Sequence, residues 1–121
     1  MKENKEPWSV NAIAEKVALL LSDCGEYEKN TLEYLNTERD RIFKALVEID
    51  GIDSFPSHAN FFLCRWKKTG DLDDLIGYLL KHGIYIRDCR NFYGLEDNFF
   101  RFGIRSFKEN NLLLSLLSSF E

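Results

Sequence analysis

No stretch of this chain is long and apolar enough to cross a bilayer. Its longest apolar runs, residues 17–21 and 112–117, fall far short of the roughly 20 residues a spanning helix needs. The first six residues are polar and lack the apolar centre of a secretory signal, so a cytoplasmic location and no membrane partner are expected. Positive charge is not in excess either. Sixteen Lys and Arg stand against 20 Asp and Glu, a net charge of -4, so no global positive field draws nucleic acid or anionic lipid. Any anion site must be local. Cysteine is sparse: Cys24, Cys64 and Cys89 are widely spaced and form no CxxC pair, and His58 and His82 add no metal-ligand spacing. Reduced thiols, some of them buried, and no structural metal are therefore expected. The chain also lacks internal repeats and low-complexity segments.

What remains is enough for a core. With 121 residues, 45% of them hydrophobic and 14% aromatic, residues 1–121 have room for one compact domain. After a charged lead-in, Pro7 and Ser9 announce a helix to about residue 23, with Ser9 or Asn11 as cap and Ile13, Val17, Leu20 and Leu21 as its buried stripe. Cys24-Gly25 is expected to stop it. A longer helix is predicted over 27–49 from the recurrence of Leu32, Leu35, Ile42, Phe43, Leu46 and Val47, with its charged face in solvent. Strands are predicted over 52–55, 60–66, 84–89 and 99–105. Asp71 caps a helix ending at His82-Gly83, with Leu72, Leu75, Ile76, Leu79 and Leu80 inward, and a last helix covers 108–119. This order predicts an α+β two-layer domain, a mainly antiparallel sheet of about four strands covered by helices and preceded by a long helical lead-in.

The chemistry-bearing residues cluster in GIYIRDCRNFYGLEDNFFRFGIRS, residues 83–106. Strand alternation puts Tyr85, Arg87 and Cys89 on one face, with Ile84, Ile86 and Asp88 on the other. It likewise turns Phe100, Phe102 and Ile104 toward the helices and leaves Arg101, Gly103 and Arg105 opposite. If Arg87 lies across from Arg101, Tyr85 lies across from Gly103, whose missing side chain leaves a hollow beside two guanidiniums. Two such forks repel unless an anion sits between them, and arginine suits carboxylate or phosphate through paired hydrogen bonds. The plainer alternative is an exposed face whose arginines meet Asp88 or Glu96 in ordinary surface pairs.

Five segments occur in order: Pro-Trp-Ser-Val-Asn at 7–11, Pro-Ser-His-Ala-Asn-Phe at 56–61, Gly-Ile-Tyr-Ile-Arg-Asp-Cys at 83–89, Asn-Phe-Tyr-Gly-Leu at 91–95 and Arg-Phe-Gly-Ile-Arg-Ser at 101–106. With them the chain from Pro7 onward resembles the C-terminal small domain of the fold type I pyridoxal-phosphate enzymes, in particular threonine-phosphate decarboxylase and histidinol-phosphate aminotransferase. The resemblance implies that Arg101 binds the substrate α-carboxylate and Arg87 the phosphate of an amino acid phosphate. Arg105 would be a second anion contact or a support for Arg101. Asn11 and Asn60 fall in matching motifs, though a helix cap and a turn-end side chain bonded to backbone account for them as well. Tyr93 and Gly94 read as loop-shaping. The resemblance further implies partnership with a large domain holding pyridoxal phosphate, a homodimeric parent, and a place in cobalamin or histidine biosynthesis. None of the nine lysines follows that family's serine-x-x-lysine pattern, so this chain is expected to bind no cofactor and to be inactive alone. A stand-alone regulatory or RNA-binding small-sheet module is the alternative, suggested by Phe99, Phe100, Arg101, Phe102 and Phe107. The order Phe102-Gly103 does not match the usual aromatic RNA-binding octamer, and the net charge is unfavourable.

Overall fold

A computed structural model describes residues 12–68 and 70–120, with the backbone alone at Ser22. The chain divides into two compact units, Met1–Glu33 and Tyr34–Glu121. In the first, α1 covers Ala12–Leu20 and a 3-10 turn follows at Leu21–Asp23, after which α2, Gly25–Val47, carries on into the second. The expected caps Ser9 and Asn11 lie outside the described residues. The expected buried stripe of α1 is not buried: Ile13, Val17, Leu20 and Leu21 are 75%, 49%, 69% and 60% exposed. Periodicity marks a face fit for burial, and a helix buries that face only against a second surface. Gly25 also differs from expectation, opening α2 instead of lying past a helix end, with Glu28 N–H bonding the Cys24 carbonyl.

Residues 34–121 hold the core. Strands β1 (Ile52–Ser54), β2 (Phe61–Trp66), β3 (Arg87–Asp88) and β4 (Phe99–Gly103) form an antiparallel sheet in the order β1-β2-β4-β3, with α3 (Leu72–Lys81) joining β2 to β3 and α4 (Phe107–Ser119) following β4. Alternation along the pleat buries Phe62, Cys64 and Trp66 from β2 and Phe100 and Phe102 from β4. They pack with Ile42 and Leu46 of α2, Leu72, Leu75 and Leu79 of α3, and Leu113, Leu114, Leu116 and Leu117 of α4. This is the expected α+β, two-layer arrangement. Three helix positions differ from expectation. Leu32, Val47 and Leu80 are exposed. In α2 the buried line runs through Glu38, Ile42 and Leu46, and Val47 sits one residue, about 100°, off that line.

The ends of α3 and α4 are set by local chemistry. Asp71 and Asp74 form a reciprocal capping box at the start of α3, as do Ser106 and Glu109 at the start of α4. At the other end of α3, Gly83 adopts φ +75°. There its N–H bonds the Leu80 carbonyl and the Ile84 N–H reaches back to Leu79, a Schellman stop that favours glycine.

Glu38 is the exception to a solvated charged face. Although 4% exposed, it accepts bonds from Arg41 at 2.5 and 2.9 Å and from Asn110 Nδ2 at 2.9 Å. These bonds hold its carboxyl below the ordinary range, Arg41 contributing most, against the opposing effect of burial. A lowered folded pKa stabilises above the unfolded value of about 4.3 and loses its effect as pH falls through the folded value. Glu38→Ala should cost about 2 kcal/mol or more in urea unfolding at pH 7, since it strands buried donors. The stability gap between the native chain and Glu38→Gln should shrink as pH falls from 7 to 3; a gap independent of pH contradicts the assignment.

Candidate functional site

The outward face of the sheet is where the predicted arginines meet. Antiparallel register sets Arg87 opposite Arg101 and Phe61 opposite Gly103. Because Phe100 and Phe102 point into the core, Arg101 and Gly103 must point out. Together Phe61, Tyr85, Arg87, Arg101, Phe102 and Gly103 line an open hollow of about 370 Å³. Gly103 contributes empty space: an added Cβ would meet nothing nearer than the Asn60 carbonyl oxygen at 3.7 Å. A second hollow of about 380 Å³ shares Tyr85, Phe102 and Gly103 with the first and reaches Arg105 and Glu109.

Among the described residues, neither Arg87 nor Arg101 has an ion-pair partner, whereas Arg41, Arg65, Arg90 and Arg105 each do. Surface pairing with Asp88 or Glu96 does not occur. The Asp88 carboxylate is taken by Arg90, and Glu96 accepts the Gly94 N–H at 3.0 Å. The Arg101 guanidinium lies 5.3 Å from the Phe61 ring centroid, a cation–π contact that favours one orientation of the fork. Such a face, with two unneutralised forks around one hollow, can take a small anion with two acidic groups.

Arg105 is placed differently. Its backbone N–H donates to Asn110 Oδ1 at 2.9 Å, its carbonyl accepts from Tyr34 Oη at 2.6 Å and Asn110 Nδ2 at 2.9 Å, and its side chain pairs with Glu109 at 3.1 Å. Asn60 offers its backbone carbonyl to the Ile104 N–H at 2.8 Å. Asn11 lies outside the described residues. Tyr93 is fully exposed and Gly94 takes φ +85° in the loop.

β3 is shorter than expected, its ladder covering Arg87 and Asp88 alone. Cys89 is buried but lies outside the core cluster, within the fields of Arg101 and Arg87. The chain turns there, with Phe92 N–H bonding the Cys89 carbonyl. Sequence reasoning did not single out Phe61 or Arg90. Phe61 carried a signal, an aromatic at an outward position of β2, while the partners of Arg90, Asp71 and Asp73, are remote in the chain.

Burial pushes the Cys64 thiol up to about 12. It also raises Cys89, against the opposing fields of Arg101 and Arg87. Both arginines thus act on one neighbourhood.

No protein-family model matches the chain. It is 33% identical over 117 residues to the threonine-phosphate decarboxylase of Salmonella typhimurium, covering 97% of this chain and 32% of that protein. The histidinol-phosphate aminotransferase structure from Clostridium acetobutylicum superposes with TM-score 0.81 and 37% identity, over 97% of this chain and 35% of that one. Both enzymes are homologues of this chain. The L-threonine-O-3-phosphate decarboxylase of Porphyromonas gingivalis has the same fold, with TM-score 0.76 and 30% identity over 94% of this chain and 35% of that one. Our chain spans about a third of the length of these relatives.

Cys64 and Cys89 are buried, whereas Cys24 is partly exposed. Iodoacetamide at pH 8 should therefore label Cys24 first, with the other two at least about tenfold slower until urea is added. Mass spectrometry of the tryptic peptides checks this, and equal labelling of all three contradicts it.

Proposed function

We propose that this chain is the substrate-holding portion of a pyridoxal-phosphate-dependent decarboxylase or aminotransferase acting on an amino acid phosphate. Arg101 grips the α-carboxylate and Arg87 the phosphate. The observation that carries this reading is the Arg87–Arg101 register across one hollow, without a carboxylate paired to either among the described residues. Like charges set directly opposite on a sheet destabilise it. A dianion between them turns that repulsion into two charge-assisted contacts. Its two ends would each meet a fork, which fixes orientation as well as affinity.

Pyridoxal phosphate supplies the electron sink in this class of enzyme, and a lysine holds it. None of the six residues lining the hollow is a lysine, so the hollow itself does not fit the cofactor. The role of this chain is to bind and orient. Arg105, with its guanidinium paired to Glu109 and its backbone bonded on both sides, serves as a support at the end of β4.

In an enzyme assembled from this chain and its cofactor-holding part, Arg101→Ala should weaken phosphorylated and unphosphorylated amino acids alike by about 2–3 kcal/mol, as expected for losing one partner of a charged hydrogen bond. Arg87→Ala should weaken the phosphorylated substrate alone. Steady-state kcat/KM for O-phospho-L-threonine and L-threonine separates the two roles. Equal losses on both substrates for Arg87→Ala would remove the phosphate role.

A further inference from the structure

Arg90 gathers three carboxylates. Its Nε donates to both oxygens of Asp88 at 3.1 Å and its Nη2 to Asp88 Oδ2 at 2.8 Å, while the Arg90 backbone N–H adds a fourth bond to Asp88 Oδ1 at 2.9 Å. The same guanidinium reaches Asp71 at 3.2 Å and Asp73 at 2.5 Å. Asp71 is the N-cap of α3, so the clamp is anchored to a helix end and does not drift with the loop that follows β3. Asp88 directly follows Arg87 in the chain, and β3 is the outermost strand of the sheet. Beyond that strand nothing in the ladder stands between the two side chains. Arg87 also acts on Asp88 electrostatically, as a lesser contributor after Arg90 to the lowering of its pKa.

We infer that Arg90 is a positioning residue for the anion hollow: it sequesters the Asp88 carboxylate and so keeps Arg87 unneutralised and free for a phosphate. This rests on the reading of Arg87 as an anion contact. Without Arg90, Asp88 turns around the strand edge onto Arg87 and competes with the incoming anion. Asp88 matters here only through its charge. Removing that charge should therefore undo the damage done by removing Arg90, which loss of a merely structural tie would not allow.

The chain itself serves for the test, with inorganic phosphate and O-phospho-L-threonine as probes and the arginine Nε–H resonances followed by NMR. In the native chain the Arg87 resonance should shift saturably. Arg90→Ala should weaken both probes at least about fivefold, the effect of one carboxylate about 4 Å away in water. The double variant Asp88→Asn/Arg90→Ala should return to within about twofold of the native affinity, since the competing charge is gone. Where Arg90→Ala fails to fold, Arg90→Leu keeps apolar bulk without a donor to Asp88 and should show the same loss and the same rescue. Native-like binding in a folded Arg90 variant, or a double variant as weak as the single, overturns the role of Arg90 alone. Absence of a saturable shift at Arg87 in the native chain overturns the anion hollow and the role of Arg90 with it.

Discussion

Everything on the outer face of the sheet depends on the register of β4 against its two neighbours. β4 is an inner strand, pairing Phe62 with Phe102 on one side and Arg87 with Arg101 on the other. A slip of one residue would send Arg101 and Gly103 into the core and Phe100 and Phe102 into water. The core forbids that slip. Phe100 is fully buried, and the Phe62 and Phe102 rings meet at 5.8 Å. Burying a phenylalanine side chain is worth about 1.5–3 kcal/mol, and a shifted β4 would lose two at once while also burying a cation. The position of a polar site is thus set by apolar packing on the other side of the same strand.

Charge around the sheet is distributed unevenly, and the unevenness is informative. Arg65 meets Asp97, Lys67 meets Asp53, Arg105 meets Glu109 and Arg90 meets three aspartates. Acidic residues outnumber basic ones in this chain, 20 to 16, so a shortage of carboxylates does not explain why Arg87 and Arg101 stand apart. Exposed ion pairs are individually weak. Leaving two cations opposite each other costs little in water and more once the face is covered and dried. The benefit appears when an anion arrives, and it grows as solvent is excluded.

Much of this arrangement was legible in the sequence, and what was not has physical reasons. Period-two alternation with Phe100 and Phe102 inward put Arg101 and Arg87 on one face, and the Asp71 cap and Gly83 stop of α3 could be read from residue type. The stripe of α1 was misread because Ile13, Val17, Leu20 and Leu21 show what can be buried, not what covers it. Gly25 has two local meanings, helix stop or helix start, and residue type does not choose between them. Glu38 defeats a pattern that assigns charge to solvent, because its partner Asn110 is 72 residues away. The Arg90 clamp is hidden for the same reason, since Asp71 is 19 residues distant and is brought near by the α3 crossover. Long-range polar pairing has no period, so periodicity cannot find it.

The two kinds of arginine at the end of β4 follow from these constraints. Arg101 lies within the ladder, flanked by a paired strand on each side, while its side chain meets the Phe61 ring. Arg105 lies past the ladder, where no neighbouring strand holds it, and the buried side chain of Asn110 takes over by bonding both its N–H and its carbonyl. Asn110 is in turn held by Glu38, and Glu38 by Arg41. This chain of bonds ties the exit of β4 to α2 and α4, so the strand cannot fray from the end nearest the hollow. A fork aimed at a small anion needs a backbone that stays in place when the anion leaves. The Glu38–Asn110 network meets that need without placing a carboxylate on Arg101.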